Sequence, residues 1–199
     1  KGIEMRLMLD DTIPGYDSYE AAVAAASTTP PADLCDGIDM LYSSGTTGMP
    51  KGIARPVPAT ELGTTVPVRD LAKTLYGFGE DTIYLSPAPL YHAAPLRFNM
   101  AVNSLGGTTV VMEHFDAERY LEFVQQYGAT HSQVVPTMFI RMLKLDESVR
   151  TKYNVSSLKF VVHAAAPCPA ETKRAMINWF GPIIHEYYAG SEGNGFVYC

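Results

Sequence analysis

The second half of the chain alternates between apolar residues at helical spacing and short, uninterrupted apolar runs. Between Asp116, which can cap a helix, and Gly128, which can end one, large apolar side chains recur every three or four residues. These side chains are Tyr120, Phe123, Val124 and Tyr127. Residues 160–162 are instead apolar at every position, as burial on both faces of a parallel sheet requires. The alternation predicts an α/β fold in which helices flank a layered, mostly parallel sheet.

Capping residues, glycines and prolines divide the rest of the chain into further elements. Strands are predicted over residues 3–9, 38–42, 81–85, 108–112, 130–135 and 158–162, with a last strand seeded at 183–184. Helices are predicted over residues 19–26, 60–76, 97–105 and 116–128, from 136 onward, and over 169–181. Pro67 is expected to kink or restart the helix over 60–76. Ligands of such sheets bind at the carboxyl ends of strands, so the loops after residues 42, 85 and 162 and after the last strand are the predicted site.

Composition and charge narrow the function. A chain of 199 residues that is 47% apolar can bury a core and would ordinarily form one domain. The net charge of -6 disfavours a nucleic acid or an anionic membrane surface as the main partner. Cys35, Cys168 and Cys199 show neither disulfide-framework nor metal-site spacing, which fits a reduced, cytoplasmic compartment. No apolar run is long enough for an integral membrane segment, and the sequence does not indicate an oligomeric state.

A loop rich in glycine and hydroxyl groups lies between two segments that are predicted to be extended. Residues 43–52 read Ser-Ser-Gly-Thr-Thr-Gly-Met-Pro-Lys-Gly. The glycines let the backbone turn its N–H groups inward, the hydroxyls add donors, and Lys51 brings a positive charge. The loop is therefore predicted to bind the oxygens of a polyphosphate.

This loop differs from the Walker-type P-loop. That motif needs glycine before its lysine, serine or threonine after it, and a helix that begins at the loop. Here Pro50 precedes Lys51, Gly52 follows it, and the prolines at 56 and 58 prevent a helix. The alternative interpretation is a Ser/Thr/Gly-rich surface linker. The two glycines that frame Lys51 and the flanking strands favour the phosphate site.

Residues 43–52 resemble the phosphate-binding signature of the adenylate-forming enzymes, the superfamily of acyl-CoA synthetases, nonribosomal-peptide adenylation domains and beetle luciferases. Two further segments are similar to motifs of this family and follow in the same order, namely residues 89–92 (Pro-Leu-Tyr-His) and 188–192 (Tyr-Ala-Gly-Ser-Glu). Bacterial fatty-acyl-CoA synthetases resemble the chain most. The resemblance implies that residues 1–199 are the central portion of the AMP-binding N-terminal domain, with the C-terminal domain absent.

The resemblance also implies how ATP and magnesium are bound. The residues that match the phosphate-contacting ones are Ser44, Gly45, Thr46, Thr47, Gly48 and Lys51. Glu192 matches the magnesium ligand, and Mg²⁺ characteristically takes one or two protein carboxylates beside substrate phosphates. Ser191 keeps a hydroxyl where the family contacts the α-phosphate region. Lys51, His92 and Glu192 are thus the candidate catalytic residues.

The adenine site matches the family less closely. Tyr188 matches the aromatic residue that stacks on adenine, and Ala165 and Ala166 match its neighbours. Relatives carry a Gly-Gly-Ala-Pro run where this chain has residues 163–167 (His-Ala-Ala-Ala-Pro), and most carry glycine in place of Ala189. Each added methyl group takes volume from the site, so the nucleotide is expected to sit slightly displaced.

His92 bears on the choice of acid. It matches the histidine that gates the acyl site and responds to the incoming thiol of coenzyme A, although a lone histidine is often structural. Relatives that activate α-amino acids place an aspartate there to pair the ammonium group. His92 offers no fixed negative charge, so an uncharged fatty or aryl acid is expected. The apolar residues that could line an acyl pocket, most of them expected to be core, are Phe98, Met100, Ala101, Val102, Val134, Val135, Met138 and Cys168.

Three hypotheses follow. The first is an AMP-forming acyl-CoA synthetase that converts a carboxylic acid, expected to be a fatty acid, to an acyl-adenylate and transfers the acyl group to coenzyme A. The second keeps the adenylation step but loads a carrier protein. The third is a nucleotide-binding remnant without turnover. For residues 1–199 alone no synthetase activity is expected, because the family's ribose-binding aspartate, hinge and C-terminal lysine would follow Cys199.

Overall fold

The computed structural model describes residues 3–42, 48–54, 56, 61–63, 67–190 and 196–198. The chain divides into two compact units, one formed by Lys1–Gly37 with Pro58–Thr64 and the other by Ile38–Val57 with Thr65–Cys199. Every helix in the described ranges is too short or too polar to cross a bilayer.

The first unit is small and contains the first predicted helix. Strands β1 (Leu7–Met8) and β2 (Asp17–Ser18) pair in parallel, and helix α1 (Tyr19–Ala25) follows directly. The Ser18 hydroxyl accepts a hydrogen bond from the Ala21 amide at 3.2 Å, so Ser18 is the N-cap. The predicted helix is confirmed. The strand predicted over residues 3–9 was too long, because only two of these residues pair.

The second unit holds the remaining elements. They are β3 (Leu41–Tyr42), β4 (Gly52–Ile53), α2 (Pro67–Tyr76), β5 (Ile83–Ser86), α3 (Ala93–Ser104), β6 (Thr108–Val111), α4 (Ala117–Tyr127), β7 (His131–Val134), α5 (Pro136–Leu143), α6 (Glu147–Arg150), β8 (Phe160–His163), α7 (Ala170–Phe180), β9 (Ile184–Ala189) and β10 (Phe196–Tyr198). One sheet has the strand order β10-β9-β8-β7-β5-β6. Its neighbours from β9 to β6 are parallel, whereas β10 pairs antiparallel with β9. The predicted α/β fold with a mostly parallel sheet is confirmed.

Side chains alternate between the two faces of this sheet along every strand, so both faces carry side chains to bury. Helices cover each face. On what we call the α5 face, Leu85, Val134 and Val161 pack in one hydrophobic cluster with residues of α4, α5 and α7. On what we call the α3 face, Tyr84 and Val162 pack in a second cluster with residues of α2 and α3. The short apolar strands are therefore buried on both sides, as their composition predicts.

Capping residues define several helix ends as predicted. The Asp116 side chain accepts a hydrogen bond from the Arg119 amide at 2.9 Å at the start of α4, and Gly128 ends this helix with a left-handed φ of 63°. Pro136 is the first residue of α5, where its missing N–H needs no partner. These three predictions are confirmed.

Two helices begin elsewhere than predicted. Helix α2 begins at Pro67, which restarts the chain as a helix rather than kinking one that began at residue 60. Leu62, which falls within the predicted range, lies in a turn and is 55% exposed. Helix α3 begins at Ala93 and not at residue 97, because Pro95 falls in the first turn, where helix N–H groups lack intrahelical partners.

The sheet boundaries also differ in two places. Strand β3, predicted to end at the carboxyl edge of the main sheet, instead pairs only with β4 in a separate two-stranded sheet. Strand β9 runs on through Ala189, so Tyr188 lies in a strand and not in the loop after it. Its continuation is stabilised by β10, a strand that the sequence analysis did not identify.

Candidate functional site

The predicted phosphate loop is held at its two ends by an antiparallel hairpin. Leu41 pairs with Ile53, and Tyr42 pairs with Gly52. A Cβ atom on Gly52 would lie 2.6 Å from Met40 Cε, closer than real Cβ atoms approach, and 3.2 Å from the Tyr42 ring. A larger residue at this position would therefore have to displace the end of the Met40 side chain. Lys51, which is exposed, directly precedes Gly52.

The far part of this loop cannot be compared with the prediction. Ser44, Gly45, Thr46, Thr47, Ser191 and Glu192 lie outside the described residues. Gly48 is described, and a Cβ atom there would meet no atom of the described residues within 4 Å. The predicted convergence of Lys51 and Glu192 on one triphosphate stays a prediction. The described part of the chain brings together no group of three His, Cys, Asp or Glu residues that could hold a metal ion.

A cavity of about 380 Å³ lies at the carboxyl edge of the main sheet. Its floor is formed by residues one or two positions after the ends of β5, β7, β8 and β9: Ala88, Val135, Ala164, Ala165 and Gly190. One wall comes from helices α2 and α3, including Ala72 and Phe98. Most of the lining is apolar. The cavity is thus where the parallel topology predicts a ligand, and its surface suits an uncharged organic group.

Some predicted site residues line this cavity and others do not. His92 and Ala165 line it, as does Ala189. Tyr188, the predicted adenine neighbour, is 80% exposed and is not among the described lining residues. Its neighbour Tyr187 lines the cavity instead, because successive side chains of β9 point to opposite faces. Ala166 is exposed and also lies off the cavity wall.

His92 immediately precedes helix α3 and forms its N-cap residue. Its side chain makes no capping hydrogen bond, and its ring centroid lies 4.5 Å from that of Tyr91. The ring is exposed at the cavity rim. The His92 imidazole can therefore contact a ligand that enters the cavity. The gating role of His92 stays a prediction.

Most of the suggested acyl-pocket residues are core, as expected. Val102 and Val134 are fully buried, Met138 is 7% exposed, and all three pack in the hydrophobic clusters. Met100 is 56% exposed on the outer side of α3. The suggested residues that do line the cavity are Phe98, Ala101 and Val135.

An ion pair connects the cavity to the strand that leads into the phosphate loop. Arg97, in the cavity wall, donates from Nε and Nη2 to one oxygen of Asp39 at 3.1 and 2.8 Å. Both side chains are largely buried, with exposed fractions of 20% and 25%. The sequence analysis missed this pair. Its signal was one charged residue within each of two apolar segments, 38–42 and 97–105.

Ala165 has a backbone conformation that favours glycine. Its φ is 75°, in the left-handed region, where a Cβ atom costs about 1–2 kcal/mol. We expect Ala165→Gly to make the protein about 1–2 kcal/mol more stable than the matched Ala166→Gly variant, whose site has no positive φ. Denaturant unfolding of both variants of the complete protein measures the difference. Equal stability of the two variants would contradict the strained backbone.

A buried histidine lies on the α5 face beside the cavity floor. His163 is fully buried, and neither ring nitrogen has a hydrogen-bond partner among the described residues. Its ring packs edge-to-face on Phe139, and Nε2 lies 3.8 Å from the carboxylate of Glu186.

Burial lowers the pKa of His163, although the Glu186 charge opposes this. Lys173 bonds the same Glu186 oxygen at 2.8 Å and holds the pKa of that carboxyl below its usual range. The ring is therefore held neutral.

Acidification from pH 7.5 to 5.5 is expected to destabilise the protein. Burial lowers the folded-state pKa of His131, His163 and His185, so the folded state binds fewer protons than the unfolded state below about pH 6.5. Their contribution to stability is complete above that pH and is lost as the pH falls toward the folded-state pKa. Glu186 stays charged over this interval because its pKa is lowered. The thermal unfolding midpoint of the complete protein at the two pH values measures the loss.

A pair of variants assigns the effect to the buried ring. His163→Leu should make the unfolding midpoint less dependent on pH, since it removes a group that is neutral when folded and protonated when unfolded. His114→Leu, at an exposed position, should keep the wild-type dependence. The same pH dependence in both variants would show that His163 does not take part.

Residues 4–199 match the protein family described as "AMP-binding enzyme". The 4-coumarate–CoA ligase of Pinus taeda is 30% identical over 150 residues, which are 75% of this chain and 27% of that protein. The 4-hydroxybutyrate–CoA ligase 2 of Metallosphaera sedula is 29% identical over 150 residues, covering 75% of this chain and 26% of that protein. The chain thus spans about a quarter of the length of each of these relatives.

Solved structures are similar as well. The amide bond synthetase McbA from Marinactinospora thermotolerans superposes with a TM-score of 0.73 and 25% identity, over 98% of this chain and 37% of that one. Together with the family match, this likeness extends over nearly the whole chain. The predicted relationship to adenylate-forming enzymes is confirmed.

Proposed function

The chain belongs to the AMP-binding enzyme family, and from this premise we propose that the complete protein is an acid–thiol ligase that forms AMP. A carboxylate oxygen of the acid attacks the α-phosphorus of ATP, and the bond to pyrophosphate breaks. The sulfur of coenzyme A then attacks the carbonyl carbon of the acyl-adenylate, and AMP leaves. The main task of the protein is to align these groups and neutralise the phosphates.

The observation that best supports this proposal is the ion pair between Asp39 and Arg97. Asp39 lies two residues before β3, the strand that leads into the phosphate loop, and Arg97 lines the apolar cavity. The pair therefore fixes the start of the loop relative to the cavity wall. Adenylation needs such a connection, since the acid and the α-phosphate must meet at one point.

We assign roles to individual residues on the same basis. Lys51, Ser44, Thr46 and Thr47, with the amides of Gly45 and Gly48, bind the phosphates of ATP. Glu192 binds Mg²⁺, which supplies positive charge beside the phosphates, and Ser191 contacts the α-phosphate region. Tyr188, Ala165 and Ala166 border adenine, and His92 gates the acyl site. The lining of the cavity supports an acid with an uncharged, largely apolar tail, either fatty or aryl. The expected compartment is the cytoplasm.

The acceptor is the point on which alternatives remain. A carrier-protein phosphopantetheine arm would use the same adenylate, and the similarity to an amide bond synthetase adds an amine as a third acceptor. His92 favours coenzyme A, since it stands at the cavity rim where a thiol would arrive. For residues 1–199 alone we expect no acyl-adenylate to form, because they span about a quarter of the two CoA ligases compared.

Acid-dependent ATP–pyrophosphate exchange by the complete protein tests the first half-reaction. A panel of fatty and aryl acids should support exchange, and addition of coenzyme A should give the thioester faster than a carrier protein or an amine gives its product. If no acid in the panel supports exchange, the proposed function is wrong. If exchange occurs but only the carrier protein or the amine accepts the acyl group, adenylation stands and coenzyme A is the wrong acceptor.

A further inference from the structure

A single fixed charge stands in the lining of the cavity. Arg97 carries it, and apart from the His92 imidazole the other described lining side chains are apolar or uncharged. The guanidinium lies close to the cavity, since its charge acts on Tyr187, another lining residue: burial raises the pKa of Tyr187 to about 12, and the Arg97 charge opposes this rise. An uncompensated cation in such a lining would attract an anionic group of a ligand.

Asp39 compensates this charge from behind the cavity wall. One of its carboxylate oxygens accepts hydrogen bonds from Nε and Nη2 of Arg97 at 3.1 and 2.8 Å, and Asp39 is not among the described lining residues. Both side chains are largely buried, so water and salt screen the two charges less than they would screen a surface pair. The wall that a ligand meets therefore carries a charge that is already neutralised.

We infer that Asp39 determines specificity for the acid: it neutralises Arg97 and so prevents the cavity from accepting an acid whose tail carries a second carboxylate. Such a carboxylate would meet a guanidinium that is already paired and a fixed negative charge behind it. It would lose its hydration without a free cation in return. This inference rests on the proposed function, since it concerns the acid that the cavity accepts.

A purely structural role of the pair predicts a different result. If the pair only held α3 to the segment before β3, loss of either charge would weaken the use of all acids alike. If it sets the charge of the cavity wall, loss of either charge should instead create a new preference for a tail of opposite sign to the charge that remains. Asp39→Asn leaves the cation and should favour an anionic tail, whereas Arg97→Ala leaves the carboxylate and should favour a cationic one.

Two sets of acids with matched tails test the inference in the complete protein. The flexible set is octanoate, octanedioate and 8-aminooctanoate, and the rigid set is cinnamate, 4-carboxycinnamate and 4-(aminomethyl)cinnamate. Each set has one uncharged, one anionic and one cationic tail. In ATP–pyrophosphate exchange, kcat/KM of the wild type should favour the uncharged member of at least one set over both charged members by about tenfold or more.

Variants locate the source of this preference. Asp39→Asn keeps the shape of the side chain and one hydrogen-bond acceptor but removes the charge. The ratio of kcat/KM for the dicarboxylic acid to that for the uncharged acid should therefore rise by about tenfold or more relative to the wild type. Arg97→Ala should raise the ratio for the amino-tailed acid in the same way. The double variant has neither charge and should again reject both charged tails.

Asp70→Asn is the matched control. Asp70 also pairs with an arginine, Arg69 at 3.2 Å, but it lies on α2 with 62% of its side chain exposed. Loss of this surface pair should leave the wild-type preferences unchanged. A thermal unfolding curve shows which of the variants are folded.

The outcomes separate the two proposals. Equal use of charged and uncharged tails by the wild type overturns the role of Asp39 and leaves the proposed function intact, and this result needs no variant. A folded Asp39→Asn or Arg97→Ala that uses all members of a set less well in equal proportion overturns it too. So does loss of the folded state in both single variants, which would make the pair structural. Absence of exchange with both sets and with the broader panel overturns the proposed function, and the inference with it.

Discussion

Lys51→Ala is expected to reduce acid-dependent ATP–pyrophosphate exchange by the complete protein by about 10²–10³-fold. This is the usual effect of removing one strong hydrogen-bond donor to a charge that develops in the transition state. Lys51 directly precedes Gly52, and Gly52 pairs with Tyr42 at the start of β4. The ammonium group is therefore carried on an ordered part of the hairpin. Exchange rates at saturating acid and ATP measure the effect.

Two further variants make this result specific. Lys73→Ala removes an exposed lysine from α2 and should leave exchange within about twofold of wild type. Lys51→Arg keeps the charge but not the compact ammonium, and we expect intermediate activity. If Lys51→Ala and Lys73→Ala exchange equally fast, the phosphate role of Lys51 is wrong and the loop is better described as a surface linker.

Local sequence signals predicted the helices of the second unit well. Asp116, Gly128 and Pro136 act through their own backbone or through residues three or four positions away, so their effect can be read without knowledge of the tertiary structure. The type of sheet could be predicted for a similar reason. Residues 160–162 need burial on both faces wherever the strand lies in the sheet.

Pairing between distant strands could not be predicted in the same way. Whether β9 stops before Tyr188 or continues depends on β10, which adds the pairs Tyr188 with Val197 and Ala189 with Phe196. The sequence around Tyr188 alone is compatible with either outcome. For the same reason β3 was placed at the main sheet, since nothing in residues 38–42 reveals that their partner is the strand ten residues later.

The candidate site was predicted where it depends on motifs and missed where it depends on packing. His92 and Ala165 belong to recognisable segments, and both line the cavity. Arg97 and its partner Asp39 belong to no motif, and their importance follows from the ion pair between them. One charged residue in an otherwise apolar segment was the visible sign in each case. Such residues are worth recording before a structure is known.

The structure makes one stability prediction at a position that carries no motif. Gly107→Ala is expected to destabilise the complete protein by about 3 kcal/mol and to lower its unfolding midpoint. A Cβ atom there would lie 2.8 Å from Val102 Cγ1 and 3.0 Å from the carbonyl oxygens of Gly79 and Thr82. Two of these three contacts are with backbone, which cannot move aside by changing a rotamer.

Both carbonyl oxygens are also fixed by hydrogen bonds. Thr82 accepts from the Thr108 amide at 2.8 Å, next to the first pair of β5 and β6, and Gly79 accepts from the Thr82 amide at 3.0 Å. Relief of the clash would require separation of β6 from β5 or displacement of the end of α3. Gly79→Ala is the matched control: a Cβ atom there meets nothing within 4 Å, and its φ is not positive, so the change should be neutral or slightly stabilising. Equal unfolding midpoints for the two variants would show that β6 can move away from β5 at little cost despite these hydrogen bonds.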